Sequence, residues 1–257
     1  MPYLMKKGFL YDMEDSFDIL MDYRIILVGE EHESRVSHNA ELTLLKGLAK
    51  RDSNLVLALE MFERDVQYVL DAYLKGKITE KKFLKQARPW PNYPKDYRPL
   101  IEFAKKKGIP VIAANVPRRA AAVVAMTNKV SPHVMGKDRK YLPKTIHLKS
   151  KEYFKRFASS MEEMPHFAPM KGMKMDGLFK AQVLKDSVMA ASVESFLDRR
   201  ILFCCGHFHS DYHLGIPYQL QKNHPKLKIA VIAMAPSLEN LSMKDRSKVA
   251  DFIWVEE

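Results

Sequence analysis

Cysteine is almost absent from this chain. Cys204 and Cys205 are the only two in 257 residues, and neighbours on a strand point to opposite faces of a sheet. A disulfide between them is therefore disfavoured, and a disulfide-built fold is excluded. Glycine and proline number 10 and 14 and are dispersed, so no linker, repeat or low-complexity tract divides the chain. No apolar run reaches the roughly 18–20 residues of a transmembrane span. The opening "MPYLMKKGFLYDMED" has two lysines, but Asp12, Glu14 and Asp15 interrupt any apolar signal region. The chain as written is expected to carry no export signal. A cell-envelope location is expected only if a signal was trimmed, and a cytoplasmic one otherwise.

Several catalytic signatures are missing too. The helical zinc motif His-Glu-x-x-His does not occur, and "HESRVSH" has the wrong spacing. There is no glycine-rich phosphate cradle and no serine in a nucleophile elbow. The net charge is +11, with 42 basic and 31 acidic residues. The excess is lysine (29 against 13 arginines), scattered over helical segments and not interleaved with aromatic residues. Readers of nucleic acid favour arginine and stacking platforms, so a nucleic-acid partner is not expected.

What the chain does have is buried strands alternating with helical patterns. Residues 24–28 ("RIILV"), 55–59 ("LVLAL"), 109–114 ("IPVIAA"), 200–205 ("RILFCC") and 227–235 ("LKIAVIAMA") are continuous apolar runs, the pattern of strands covered on both faces. "ADFIWV" is expected as an edge strand. Helices are expected over 38–50, 64–74, 100–107, near 150–162 and over 178–197, and from Pro117 to 127. The fold class is α/β: a mostly parallel sheet flanked by helices, in one domain over 1–257. Residues 129–177 break the rhythm and are expected as an inserted helical cap.

The first four buried strands end in unusual polar residues. These are Glu30 and His32, then Glu60, then Asn115, then His207 and His209. In an open parallel sheet such ends share one edge, where ligands bind. Glu30, His32, Glu60 and His207 are the candidates for catalysis, and Glu30, His32, His207 and His209 for holding a divalent metal. If "HFH" stays extended, its two imidazoles share a face. Glu30 and Glu60 would be like charges in one cleft, so one carboxyl should be raised unless a metal or a histidinium offsets it. His38 could turn back to the site from a helix start. Gln182 and Asp186 share a helix face and could support His207 or Asn115. In the insertion, Met161, Met164, Met170, Met173 and Met175 gather with His166 and Phe167. That surface suits a flat apolar cofactor or a loosely packed cap.

The pieces "RIILVGEEHESRVSHNAELTLLKGL", "LVLALEMFERDVQYVLDAYLKGKI", "YRPLIEFAKKKGIPVIAANVPRR", "KAQVLKDSVMAASV" and "GHFHSDYHLGIPYQL" occur in order. As a set they resemble the ChaN-like haem-binding family, bacterial proteins linked to haem-iron uptake and often lipoproteins. The family's polar positions map to Glu30, His32, His38, Glu60, Asn115, Gln182, Asp186 and His207. The resemblance implies haem as cofactor, held between two subunits by a tyrosine and a histidine. Tyr153, Tyr141, His147 and His166 are the candidates on chemistry. The chain departs from the family in lacking the lipoprotein cysteine and in keeping only His38 of a histidine pair. More distant relatives, the erythromycin-esterase-like and TraB-like proteins, share glutamate and histidine at equivalent strand ends. That implies a hydrolase as the alternative function.

Overall fold

The apolar runs form the centre of one eight-stranded sheet. In this computed structural model residues 1–148, 150–163, 174–238 and 241–256 are described. The strands are β1 (Pro2–Lys6), β2 (Phe9–Tyr11), β3 (Ile25–Glu30), β4 (Leu55–Glu63), β5 (Val111–Asn115), β6 (Arg200–Gly206), β7 (Ile229–Met234) and β8 (Phe252–Glu256). Their order is β2-β1-β8-β7-β3-β6-β4-β5. Every pairing from β8 through β5 is parallel, while β1 runs antiparallel to both β2 and β8.

The helices are α1 (Met13–Leu20), α2 (Arg35–Arg51), α3 (Gln67–Leu74), α4 (Glu80–Ala87), α5 (Arg98–Lys107) and α6 (Arg118–Thr127). They continue as α7 (Pro132–Met135), α8 (Lys151–Glu163), α9 (Met175–Val193), α10 (Ile216–Asn223) and α11 (Met243–Val249). Strand alternation sorts the core into two layers. Ile26, Val28, Leu57, Leu59 and Cys204 pack with Leu44, Leu48, Leu100 and Ile101 of α2 and α5. Ile25, Leu27, Val56, Phe203 and Cys205 pack with Met189, Val193 and Leu220 of α9 and α10. The two free cysteines thus lie in opposite layers, as their adjacency requires.

Residues 130–146 pack as a small apolar layer on α6 and α9. Tyr153 and Phe157 of α8 pack on Phe179 and Val183 of α9. This seats α8 beside the edge where β3, β4 and β6 end.

Four expectations need correction. "ADFIWV" is not an edge: β8 lies between β7 and β1, and β2 closes that side of the sheet. Its outer partner comes from the other end of the chain, with Tyr3 opposite Val255, so nothing local announces it. Glu60 does not end its strand. β4 runs on to Glu63, with a register shift against β5 between Leu59 and Glu63. The helix expected from Pro117 starts one residue later, with Pro117 as its cap. Likewise α2 begins three residues before His38, capped by Ser34. That sets His38 in the first turns, with its side chain directed back toward β3.

Candidate functional site

The ends of β3, β4 and β6 converge because β6 lies between the other two, with Glu30 in register with Gly206. Two glycines make the approach close. A Cβ on Gly206 would lie 2.7 Å from His32 Cε1. A Cβ on Gly29 would lie 2.6 Å from Ser210 Oγ and 3.0 Å from His207 Cα. The loop after β6 therefore closes directly onto β3 and His32.

Glu30 is fully buried, and its Oε1 accepts two hydrogen bonds. One comes from His32 Nδ1 at 2.6 Å and the other from the Tyr97 hydroxyl at 2.7 Å. Burial pushes the carboxyl up, but its surroundings, chiefly the His32 and Tyr97 hydrogen bonds, outweigh it and hold it below its ordinary value. His32 stands edge-on to Trp90, with ring centroids 4.7 Å apart. Burial lowers its affinity for a proton, and Glu30 and Glu60 more than restore it, so His32 titrates above its ordinary value.

Glu60 belongs to a second network. Its Oε2 accepts the Gly206 N–H at 2.8 Å, and its Oε1 lies 3.2 Å from His209 Nε2. His209 Nδ1 meets Asp186 Oδ1 at 2.5 Å. Asp186 Oδ2 accepts from the Tyr153 hydroxyl at 2.8 Å, and Gln182 Nε2 donates to that hydroxyl at 3.3 Å. Burial resists the charges on Glu60 and His209, and their pairing wins. Glu60 falls to about 2 and His209 rises to about 10. Burial pushes the Asp186 carboxyl up, against the opposing pull of His209. Two histidines thus offset Glu30 and Glu60, and the carboxyls that are raised are Asp186 and Glu41. Burial and the Glu30 charge push Glu41 well up.

Residues 207–209 form a 3-10 turn and not an extended segment. At three residues per turn, positions i and i+2 point about 240° apart. His209 turns inward to Glu60, and His207 stays half-exposed, its Nδ1 held by Asp211 Oδ2 at 3.0 Å. The expected metal set of Glu30, His32, His207 and His209 is therefore divided: His32 pairs with Glu30, His207 with Asp211, and His209 with Glu60 and Asp186. Among the described residues, ligating atoms come within 4.8 Å of one another at Glu30, His38 and Glu41.

A cleft of about 440 Å³ opens over this edge, lined by Glu30, His32 and His207 on one side and Phe157, Met161 and Phe208 on the other. Gln182 also lines it, whereas Asn115 sits at the same sheet edge outside the lining, its side-chain oxygen without a partner. The tyrosine and histidine candidates do not gather here. Tyr153 is buried and committed to Asp186. Tyr141 lies beside Arg64 and Lys140. His147 bonds Asn223 Oδ1 at 2.9 Å, near α10. His166, with Met164, Phe167, Met170 and Met173, lies outside the described residues. Sequence reasoning missed Tyr97, Glu41 and Asp211. The position of Glu41 one turn after His38 was a usable signal; Tyr97, in a proline-rich loop, gave none.

The chain is 24% identical, over a 261-residue alignment covering 95% of its length, to Protein RETICULATA-RELATED 5, chloroplastic, of Arabidopsis thaliana. It spans about a third (35%) of that relative's length. It also superposes on a solved structure described as "Cofacial heme binding to ChaN of Campylobacter jejuni" with a TM-score of 0.76 at 20% identity. That match covers 100% of this chain and 97% of the other, a likeness of fold. The family model described as "Haem-binding uptake, Tiki superfamily, ChaN" matches residues 17–220. With most of its length matched, including every strand that builds the cleft, this chain belongs to the ChaN haem-binding uptake family of the Tiki superfamily.

Proposed function

We propose that the protein binds haem for iron uptake or handling in the cleft beneath α8, with His207 as an iron ligand and a second copy of the chain against the other haem face. The observation that carries this reading is the state of His207. Its side chain is half-exposed at the mouth of an apolar wall, and Asp211 anchors Nδ1. No hydrogen-bond partner holds Nε2 among the described residues. A carboxylate on one ring nitrogen orients an imidazole and strengthens the other as a ligand. The cleft volume lies within the roughly 300–1,000 Å³ of ligand pockets. Phe157, Met161 and Phe208 offer the apolar contact a porphyrin needs. The exposed Lys151 and Lys155 of α8 offer positive charge to propionates. The cofacial haem of the Campylobacter jejuni ChaN structure supports a second chain completing the site.

The test is a haem titration followed by the Soret band, with sedimentation run at each haem ratio. Saturable binding, loss of affinity in His207→Ala and a haem-dependent shift to dimer are expected. A wild-type protein with no Soret change above background overturns the reading.

A second reading rests on a different observation. The 2.6 Å Glu30–His32 contact at the cleft mouth is the arrangement of a carboxylate-oriented general base. As a hydrolase, the protein would use His32 to take a proton from water, with the half-exposed His207 or a metal opposing developing negative charge. Turnover of an ester or amide panel that His32→Ala abolishes, in protein that binds no haem, would favour it.

A further inference from the structure

Behind the cleft, the second oxygen of Glu30 faces inward. Glu30 Oε2 lies 3.6 Å from His38 Nδ1, and Glu41 Oε2 lies 3.1 Å from the same nitrogen. Both glutamates are fully buried. Neither Glu30 Oε2 nor Glu41 Oε1 has a hydrogen-bond donor. The other nitrogen of His38, Nε2, meets the His32 carbonyl at 3.1 Å, with Asp96 Oδ2 3.7 Å away. A carbonyl only accepts, so Nε2 carries a proton. In the neutral ring, Nδ1 then directs its lone pair at two carboxylates.

Three electron-rich groups in a dry interior are costly unless a positive charge stands among them. One nitrogen and two carboxylate oxygens, with ligating atoms within 4.8 Å of one another, form a donor set for a first-row divalent ion. The imidazole in the set tilts it toward zinc over magnesium or calcium. The Nε2–carbonyl bond is the outer contact that orients a ligating histidine. Glu30 also lines the cleft, which gives an ion a way in.

We propose that Glu30, His38 and Glu41 form a binding site for one divalent transition-metal ion of the zinc class, behind the cleft and joined to it through Glu30. The competing occupant is a proton shared between Glu30 and Glu41. The site does not depend on haem. Its occupant faces Glu30 Oε2, while Oε1 holds His32 and Tyr97, so the ion sets the charge behind the cleft histidine.

The test strips the full chain with a chelator, reloads it with zinc, desalts it and measures zinc per chain, with thermal unfolding in the presence and absence of zinc. Glu41→Gln keeps the shape of the protonated acid, so it preserves the fold while removing a ligand. His38→Ala removes the nitrogen. His224→Ala is a control, since that imidazole faces Glu194 elsewhere. One zinc per chain in wild type and in His224→Ala is expected. Its loss in Glu41→Gln and a zinc-dependent rise in unfolding temperature confined to chains that keep Glu41 are also expected. Wild type that retains no zinc, with Glu41→Gln as stable as wild type, assigns the site to a proton only and overturns the proposal. Zinc retained undiminished in Glu41→Gln and His38→Ala overturns it equally.

Discussion

Glu60 and His209 form an ion pair closed off from solvent: Oε1 and Nε2 are 3.2 Å apart, and the two side chains are 5% and 7% exposed. The pair joins β4 to the turn after β6. A second bond, from the Gly206 N–H to Glu60, ties the strand end to the same carboxylate.

This pair gives stability a two-sided pH dependence. Glu60 is held at about 2 against an ordinary 4.5, so its contribution is full above 4.5 and is lost as pH falls toward 2. His209 is raised to about 10 from 6.5, so its contribution is full below 6.5 and is lost as pH rises toward 10. Urea unfolding across pH should show a plateau from about 4.5 to 6.5 with decline on both sides. Glu60→Ala should cost up to about 3–5 kcal/mol on the plateau, because it leaves the buried His209 charge with Asp186 as its one remaining carboxylate, and should flatten the acid limb and shrink the alkaline one. Unchanged limbs in the variant would exclude the pair as their source.

Tyr153→Phe should destabilise without touching haem. The hydroxyl donates to a fully buried Asp186, and losing a donor to a buried acceptor costs about 1–3 kcal/mol. The melting temperature should fall by several degrees while the Soret position and haem affinity stay as in wild type. A shifted Soret band would reinstate Tyr153 as an iron ligand.

Asp211→Asn should weaken haem binding while leaving the fold intact. Asp211 Oδ2 orients His207 through Nδ1, and loss of such a partner costs about 10–100-fold in affinity. Titration of wild type and variant side by side measures the ratio; equal affinities would remove His207 from the iron.

The two glycines at the site should behave differently. Gly29→Ala drives a Cβ against backbone at His207 Cα as well as against Ser210, so the loop after β6 must move, at about 1–3 kcal/mol. Gly206→Ala meets the tip of the His32 ring, which is half-exposed and can swing away. It should cost less stability, yet break the His32–Glu30 bond, visible in the imidazole NMR signals. A Gly206→Ala variant as unstable as Gly29→Ala would contradict this.

The sequence by itself determined the central sheet and the edge at which chemistry collects. β3 through β7 are continuous apolar runs, because both faces of a parallel strand are covered. The polar residues after them must share an edge, because parallel strands end together. Glu30, His32, Glu60, His207 and His209 were legible for that reason, as were the opposite-facing Cys204 and Cys205. Only the tertiary structure decided which imidazole meets which carboxylate. Glu60 reaches Gly206 across 146 positions, Tyr97 reaches Glu30 across 67, and Tyr153 reaches Asp186 across 33. Pairings over such distances have no local period or spacing to betray them. The same holds for β1, whose partner strand β8 lies at the far end of the chain. It holds for His207 and His209 as well, two residues apart in sequence, which a single 3-10 turn sends to different tasks.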